Sequence, residues 1–80
     1  MTRPEILSRI QKVAAETFGC LPEQMQETTV AADIEKWDSL RHLIFISGIE
    51  QEFTIEFDMD AITKVTNVAD LISLVATLTA

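Results

Sequence analysis

Asp38-Ser39-Leu40 puts a short acid, a hydroxyl and an aliphatic side chain at one junction. An irregular stretch ending in Ile34-Glu35-Lys36-Trp37 gives way there to an apolar segment from Leu40 to Phe53. An aspartate just before a helix accepts hydrogen bonds from N–H groups one turn in. Ser39 would then hold the first helical position with its own hydroxyl uncommitted. Helix N-termini present unpaired N–H groups and the positive end of the backbone dipole, so an attached phosphate is favoured there. Ser39 therefore reads as the attachment point of a phosphate-linked prosthetic group, with Arg41 placed to offset part of its charge. The dipole contributes about 0.3–1 kcal/mol at an exposed site, which eases modification without driving it.

His42 follows Ser39 by three residues, and with Asp38 it completes the residue types of a hydrolytic triad. One exposed helical turn supplies neither a substrate pocket nor an oxyanion hole, and triad members come from separate segments. No catalytic residue is assigned, and His42 is expected at the rim of the fold. Trp37 is expected to anchor its loop to the core rather than shield a cofactor. Cys20 stands alone with no base beside it, so an inert, small apolar role is expected. Asp58-Met59-Asp60 lacks the glycine and distal glutamate of a calcium loop, and no metal site is expected.

The elements that must position Ser39 follow from periodicity. Thr2 and Glu5 form a T-x-x-E capping box around Pro4. Ile6, Leu7, Ile10, Val13, Ala14 and Phe18 then recur at helical spacing up to Gly19, which predicts a first helix over Pro4 to Phe18. From Gly19 to Trp37 the periodicity disappears. Leu21, Met25, Val30 and Ile34 are expected to pin this long connection across the fold, and a loop of such length in a small domain is often functional. A second helix is predicted from Ser39 to Phe53. At about 100° per residue, Phe45, Ile46, Ile49 and Phe53 form its core arc, with Leu43 at the edge. Leu40, Ile44, Ser47 and Gln51 fall on a different side, where Leu40 and Ile44 are surplus apolar surface beside Ser39. Thr54-Ile55-Glu56-Phe57 alternates like a strand but has no partner strand, so it is assigned to a loop. A short helix follows over Met59 to Thr63, contributing Met59 and Ile62. Asn67 and Asp70 cap a final helix with apolar positions at Val68, Leu71, Ile72, Val75 and Leu78. The expected fold is all-α: an antiparallel bundle of three longer helices and one short helix, with a long first loop.

Eighty residues are expected to form one domain, 1–80, too small for a core and a deep cleft together. An apolar content of 48% is enough for that core. The net charge of −7, from 13 acids against 6 bases, excludes the basic footprint of nucleic-acid or anionic-membrane binding. No apolar run approaches the roughly 18 residues of a membrane span, and the N-terminus lacks the apolar run of a signal peptide. A reduced, cytoplasmic setting fits these features. Glu50, Glu52, Glu56, Asp58 and Asp60 form an acidic run with no base between His42 and Lys64. Both a solvated surface and a dock for basic patches on partner proteins fit it.

Nearly the whole chain resembles an acyl carrier protein of the phosphopantetheine-binding family. The first amphipathic helix, the long loop, Asp38-Ser39-Leu40 and Ile49-Glu50-Gln51-Glu52-Phe53 carry the resemblance. Ile55-Glu56-Phe57, the acidic short helix and the Val68-to-Val75 helix extend it. The resemblance implies a four-helix bundle in which Ser39 is esterified by 4′-phosphopantetheine, taken from coenzyme A by a separate Mg-dependent phosphopantetheinyl transferase. The distal thiol then carries an acyl or amino-acyl group as a thioester to acyl-loading and acyl-processing enzymes. Asp38 and Leu40 would help the transferase recognise the site, and Leu43, Ser47 and Glu50 lie where the family meets partner enzymes. Such a carrier is non-catalytic and is expected to be a monomer. The stretch Asp33-Ile34-Glu35-Lys36-Trp37-Asp38-Ser39-Leu40 is similar to stand-alone carriers with Trp-Asp-Ser-Leu, which tend to serve specialised acyl, amino-acyl or hydroxy-acyl pathways. Fatty-acid carriers usually have acids just after D-S-L and a larger apolar residue at the Ser47 position. Arg41, His42, Ile44 and Ser47 depart from that pattern. The rival readings are an unmodified helical interaction module using Leu40 and Ile44 as an adhesive patch, and a small hydrolase using Ser39 and His42.

Overall fold

Thr2 starts the first helix. Its backbone is extended, and its hydroxyl accepts from Glu5 N–H and donates to the Glu5 carboxylate at 3.1 Å. The capping box thus closes through the hydroxyl rather than through the Thr2 N–H. At the other end Gly19 takes a left-handed conformation (φ +67°), as expected where the chain must turn off a helix. The computed structural model describes residues 1–79. Its elements are α1 (Arg3–Phe18), α2 (Ser39–Phe53), a short α3 (Met59–Thr63) and α4 (Val68–Thr79). They form an all-α four-helix bundle with no strand among the described residues. Among the described residues, no helix is long and apolar enough to cross a membrane.

Helix α1 packs against both α2 and α4. It buries Ile6, Ile10, Val13, Ala14 and Phe18, while Leu7 is only half-buried. Against it α2 buries Phe45, Ile49 and Phe53. The approach is close at Gly48, where a Cβ would sit 2.8 Å from Val13 Cγ1. The core arc of α2 is therefore narrower than the predicted one. Ile46 is half-buried because only the five-residue α3 and its flanking loops cover that side, and Leu43 is 64% exposed.

The connection between α1 and α2 is not structureless. It holds two 3₁₀ turns, Pro22–Gln24 and Ala31–Asp33, built alike. In each, the residue three positions after the entry residue accepts the entry N–H through its side chain: Gln24 from Leu21 and Asp33 from Val30. The entry residues Leu21 and Val30 are exposed, and the exit residues Met25 and Ile34 are buried. Two of the four predicted pins therefore hold the loop, one per turn. Thr29 and Glu27 add a second tie, their carbonyls accepting from Val68 and Ala69 N–H at the start of α4. Those are N–H groups a helix cannot satisfy internally.

Beyond α2, Thr54 caps the helix in a left-handed conformation (φ +56°), and Thr54-Ile55-Glu56-Phe57 is a loop, as the missing partner strand required. Ile62 packs on the core, whereas Met59 is 71% exposed and contributes nothing to it. Asn67 accepts from Asp70 N–H at 2.8 Å to start α4, and the Asp70 carboxylate reaches back to Thr66. Leu78, predicted as a core position, is 42% exposed in the last turn.

Glu52 lies near the C-terminal end of α2, where a negative charge opposes the helix dipole. Its carboxylate is held by Arg9 at 2.8 Å and Lys12 at 3.6 Å, and the Arg9 guanidinium also donates to the Glu52 carbonyl and lies over the Phe53 ring. The Arg9 hydrogen bond holds the Glu52 carboxyl below its ordinary value. The folded state therefore prefers ionised Glu52. Its contribution is complete above the ordinary glutamate range and fades as pH falls through the lowered folded value. Glu52→Gln is expected to lower the melting temperature at neutral pH, with the deficit shrinking steadily below about pH 4.5. A deficit that stays constant during thermal melts down to about pH 3 would show that Glu52 does not act through its charge.

Candidate functional site

Asp38 has an extended backbone (φ −101°, ψ −178°), and its Oδ1 accepts from Arg41 N–H at 2.8 Å. Its carbonyl takes His42 N–H at 2.8 Å. The cap thereby uses the third and fourth N–H groups of α2 and leaves those of Ser39 and Leu40 without a partner among the described residues. Ser39 is exposed, and its hydroxyl has no partner there either. Exposure alone does not single it out, because Ser8, Ser47 and Ser73 are exposed too. Those three lie inside helices, where the backbone N–H groups are used, and Ser73 accepts from Arg3. Ser39 alone of the four serines sits at a helix opening with donors to spare.

Trp37 fixes that opening to the core. Its ring stacks on Phe18 at 5.0 Å and meets Phe45 edge-on at 5.3 Å, and Phe18 and Phe45 are themselves 5.1 Å apart. Trp37 is thus an anchor. Its Nε1 donates to His42 Nδ1 at 3.0 Å, with the two rings nearly parallel. An Nδ1 that accepts carries no proton, so the ring hydrogen of neutral His42 lies on Nε2. The hydrolase reading fails here. Asp38 is bound to Arg41 N–H and His42 to Trp37, so no carboxylate orients the imidazole as a triad needs.

A shallow groove of about 470 Å³ beside Ser39 is lined by Trp37, Asp38, His42 and Leu43. A second, of about 440 Å³, runs between α2 and α3 past Ile46, Phe57, Ile62 and Val65, and His42 and Leu43 line both. Another groove, of about 730 Å³, lies between α1 and α2 and does not include Ser39.

The chain is 30% identical to the acyl carrier protein of Caulobacter vibrioides over 76 residues, 95% of this chain and 97% of that one, in each of two strains. It belongs to the acyl carrier protein family. The family's protein from Zymomonas mobilis is 30% identical over 67 residues, covering 84% and 86% of the two chains. That from Phenylobacterium zucineum is 28% identical over 71 residues, covering 89% and 90%. No family model matches the sequence.

Against this family background, the predicted surface residues divide in two. Leu40, Leu43 and Ile44 are 68%, 64% and 52% exposed on the face of α2 that runs on from Ser39, and Ser47 is exposed with them. Glu50 is different: it is half-buried, and its carboxylate accepts from Phe57 N–H at 2.9 Å, holding the loop after α2. The acidic run divides likewise. Glu50 and Glu52 are committed internally, and Glu56, Asp58 and Asp60 stay exposed. Cys20 is half-buried, which pushes its thiol above the ordinary value and away from reactivity. The Trp37–His42 bond was not foreseen, although a Trp and a His five residues apart across a helix start were its visible signal. The described residues hold no cluster of three or more metal-ligating side chains.

The cap gives a test of the helix opening. Asp38→Ala is expected to cost roughly 1 kcal/mol in denaturant unfolding, and Asp38→Asn only a few tenths, because asparagine caps as well as aspartate. Equal losses in both would mean that the charge, not the hydrogen bond to Arg41, carries the effect.

Proposed function

We propose that Ser39 carries 4′-phosphopantetheine and that the chain, as one domain over residues 1–80, presents a thioester-bound acyl or amino-acyl group to separate enzymes. The observation that carries this reading is the uncommitted hydroxyl of Ser39, beside two unpaired N–H groups, in a member of the acyl carrier protein family. The chain's own residues fit a phosphodiester at that point. The free Ser39 and Leu40 N–H groups suit a phosphate oxygen, the helix dipole favours its charge, and Arg41 stands next in sequence. The grooves past His42 and Leu43 offer an apolar path away from the serine.

When bound, the group supplies a thiol that holds the cargo; the chain supplies attachment, orientation and recognition. Asp38 holds the first turn, Trp37 fixes that turn to the core, and Leu40, Leu43, Ile44 and Ser47 present a surface to the transferase and to loading and processing enzymes. Glu50, expected on that surface, serves the loop instead. Trp37-Asp38-Ser39-Leu40 and the missing acids after it favour a specialised acyl, amino-acyl or hydroxy-acyl pathway over fatty-acid synthesis. We read the carrier as a non-catalytic, cytoplasmic monomer.

Incubation with coenzyme A, Mg²⁺ and a promiscuous phosphopantetheinyl transferase is expected to add one phosphopantetheinyl group, read by intact mass, and Ser39→Ala to abolish the gain. No gain in the native chain would favour an unmodified interaction module. Leu40→Asp is expected to cut loading efficiency by at least about tenfold and leave the melting temperature within a few degrees, because surface changes outside the core cost little stability.

A further inference from the structure

His42 is the chain's one histidine, half-buried and three residues along α2 from Ser39, a spacing that puts neighbours on one helix face. Its Nδ1 accepts from the Trp37 indole N–H, a group that can only donate. The bond at one ring nitrogen decides where the proton sits, so neutral His42 keeps it on Nε2. Trp37 is itself wedged against Phe18 and Phe45, which fixes the tautomer and the ring together. The Nε2–H has no partner among the described residues, and it is not sealed inside the fold, since no buried side-chain nitrogen there lacks one. Two grooves meet at this ring. The one of about 470 Å³ beside Ser39 and the one of about 440 Å³ between α2 and α3 share only His42 and Leu43 among their lining residues. Of that pair only His42 is polar. Around the first groove Trp37 Nε1 is already bonded and the Asp38 carboxylate only accepts, which leaves His42 as the free side-chain donor beyond Ser39 itself.

Resting on the carrier reading above, we infer that His42 Nε2 donates a hydrogen bond to a carbonyl oxygen of the group attached at Ser39, holding that group where the two grooves meet. The ligand atom must be an acceptor. Bare alkyl chain over the Nε2–H would strip its water and return nothing, the costly side of hydrogen-bond exchange. Amide carbonyls of phosphopantetheine and the thioester carbonyl of a cargo share the required chemistry. Trp37 is the positioning residue. Without its N–H the imidazole could carry its proton on either nitrogen and accept as readily as donate.

Imidazole ¹⁵N–¹H spectra of the untagged full chain test this, because one histidine gives one set of signals. They are recorded at about pH 8, where an ordinary imidazole is neutral. Three forms are compared: the unloaded chain, the chain bearing phosphopantetheine with a free thiol, and the chain bearing its acetyl thioester. The unloaded chain should already show the Nε2–H tautomer. Loading should slow exchange of that proton with water by about three- to tenfold, the protection one net hydrogen bond gives. Slowing in the thiol form assigns the contact to an amide of the arm, and slowing only in the acetyl form assigns it to the thioester. His42→Phe keeps a ring beside Trp37 and removes the donor. It should make the amides of a ¹⁵N-labelled arm more mobile, in the form that showed the slowing, with the melting temperature kept within a few degrees. Trp37→Phe should mix the two tautomers and lose most of the slowing. An Nδ1–H tautomer in the native chain, or exchange unchanged in both loaded forms, overturns the inference, as does an arm equally mobile in the folded His42→Phe chain. Each of these leaves loading at Ser39 standing. Failure of the native chain to load overturns the carrier reading itself and this inference with it.

Discussion

The hydrogen bond from Arg41 N–H to the Asp38 carboxylate sets the first residue of α2, and the chemistry open to Ser39 follows from it. Serine is itself a strong helix cap. Had the helix opened one residue later, the Ser39 hydroxyl would accept a backbone N–H and be spent. With Asp38 in that role the hydroxyl is spare, and the two N–H groups that the cap does not reach are spare beside it. Trp37, wedged against Phe18 and Phe45, keeps this opening from sliding, so a mobile attachment would start from a rigid base.

A second consequence concerns charge. The chain is strongly acidic, and a count of acids along α2 and α3 suggests one continuous negative face. The fold divides that face. Glu52 pairs with Arg9 and Lys12 across the α1–α2 seam, and Glu50 holds the loop after α2. Carboxylates that look like docking groups in the sequence are spent on holding the bundle together. On α2, what stays exposed beyond Ser39 is mainly aliphatic, at Leu40, Leu43 and Ile44.

Much of this was legible in the sequence, for local reasons. Both ends of α1 carry strong signals, in Thr2 with Glu5 and in Gly19, and Asp38 marks the start of α2 as clearly. The core spacing of Phe45, Ile49 and Phe53 needs only the helical repeat. The parts that were not legible depend on distant partners or on how deeply a face is covered. Arg9 and Glu52 stand 43 residues apart, so nothing local announces their bond. Ile46 and Leu43 are as apolar as their buried neighbours, and only the shortness of α3 decides that one is half-covered and the other bare. The two 3₁₀ turns are too short to show a period, and the alternation of exposed entry and buried exit residues emerges only once both are seen.

Location of the added group is the most direct measurement. After treatment with coenzyme A and a transferase, fragmentation mass spectrometry of the chain distinguishes Ser8, Ser39, Ser47 and Ser73, all exposed hydroxyls. The account predicts the whole added mass on Ser39, between fragments that break before and after it. Mass on any of the other three serines, or on none, would contradict it.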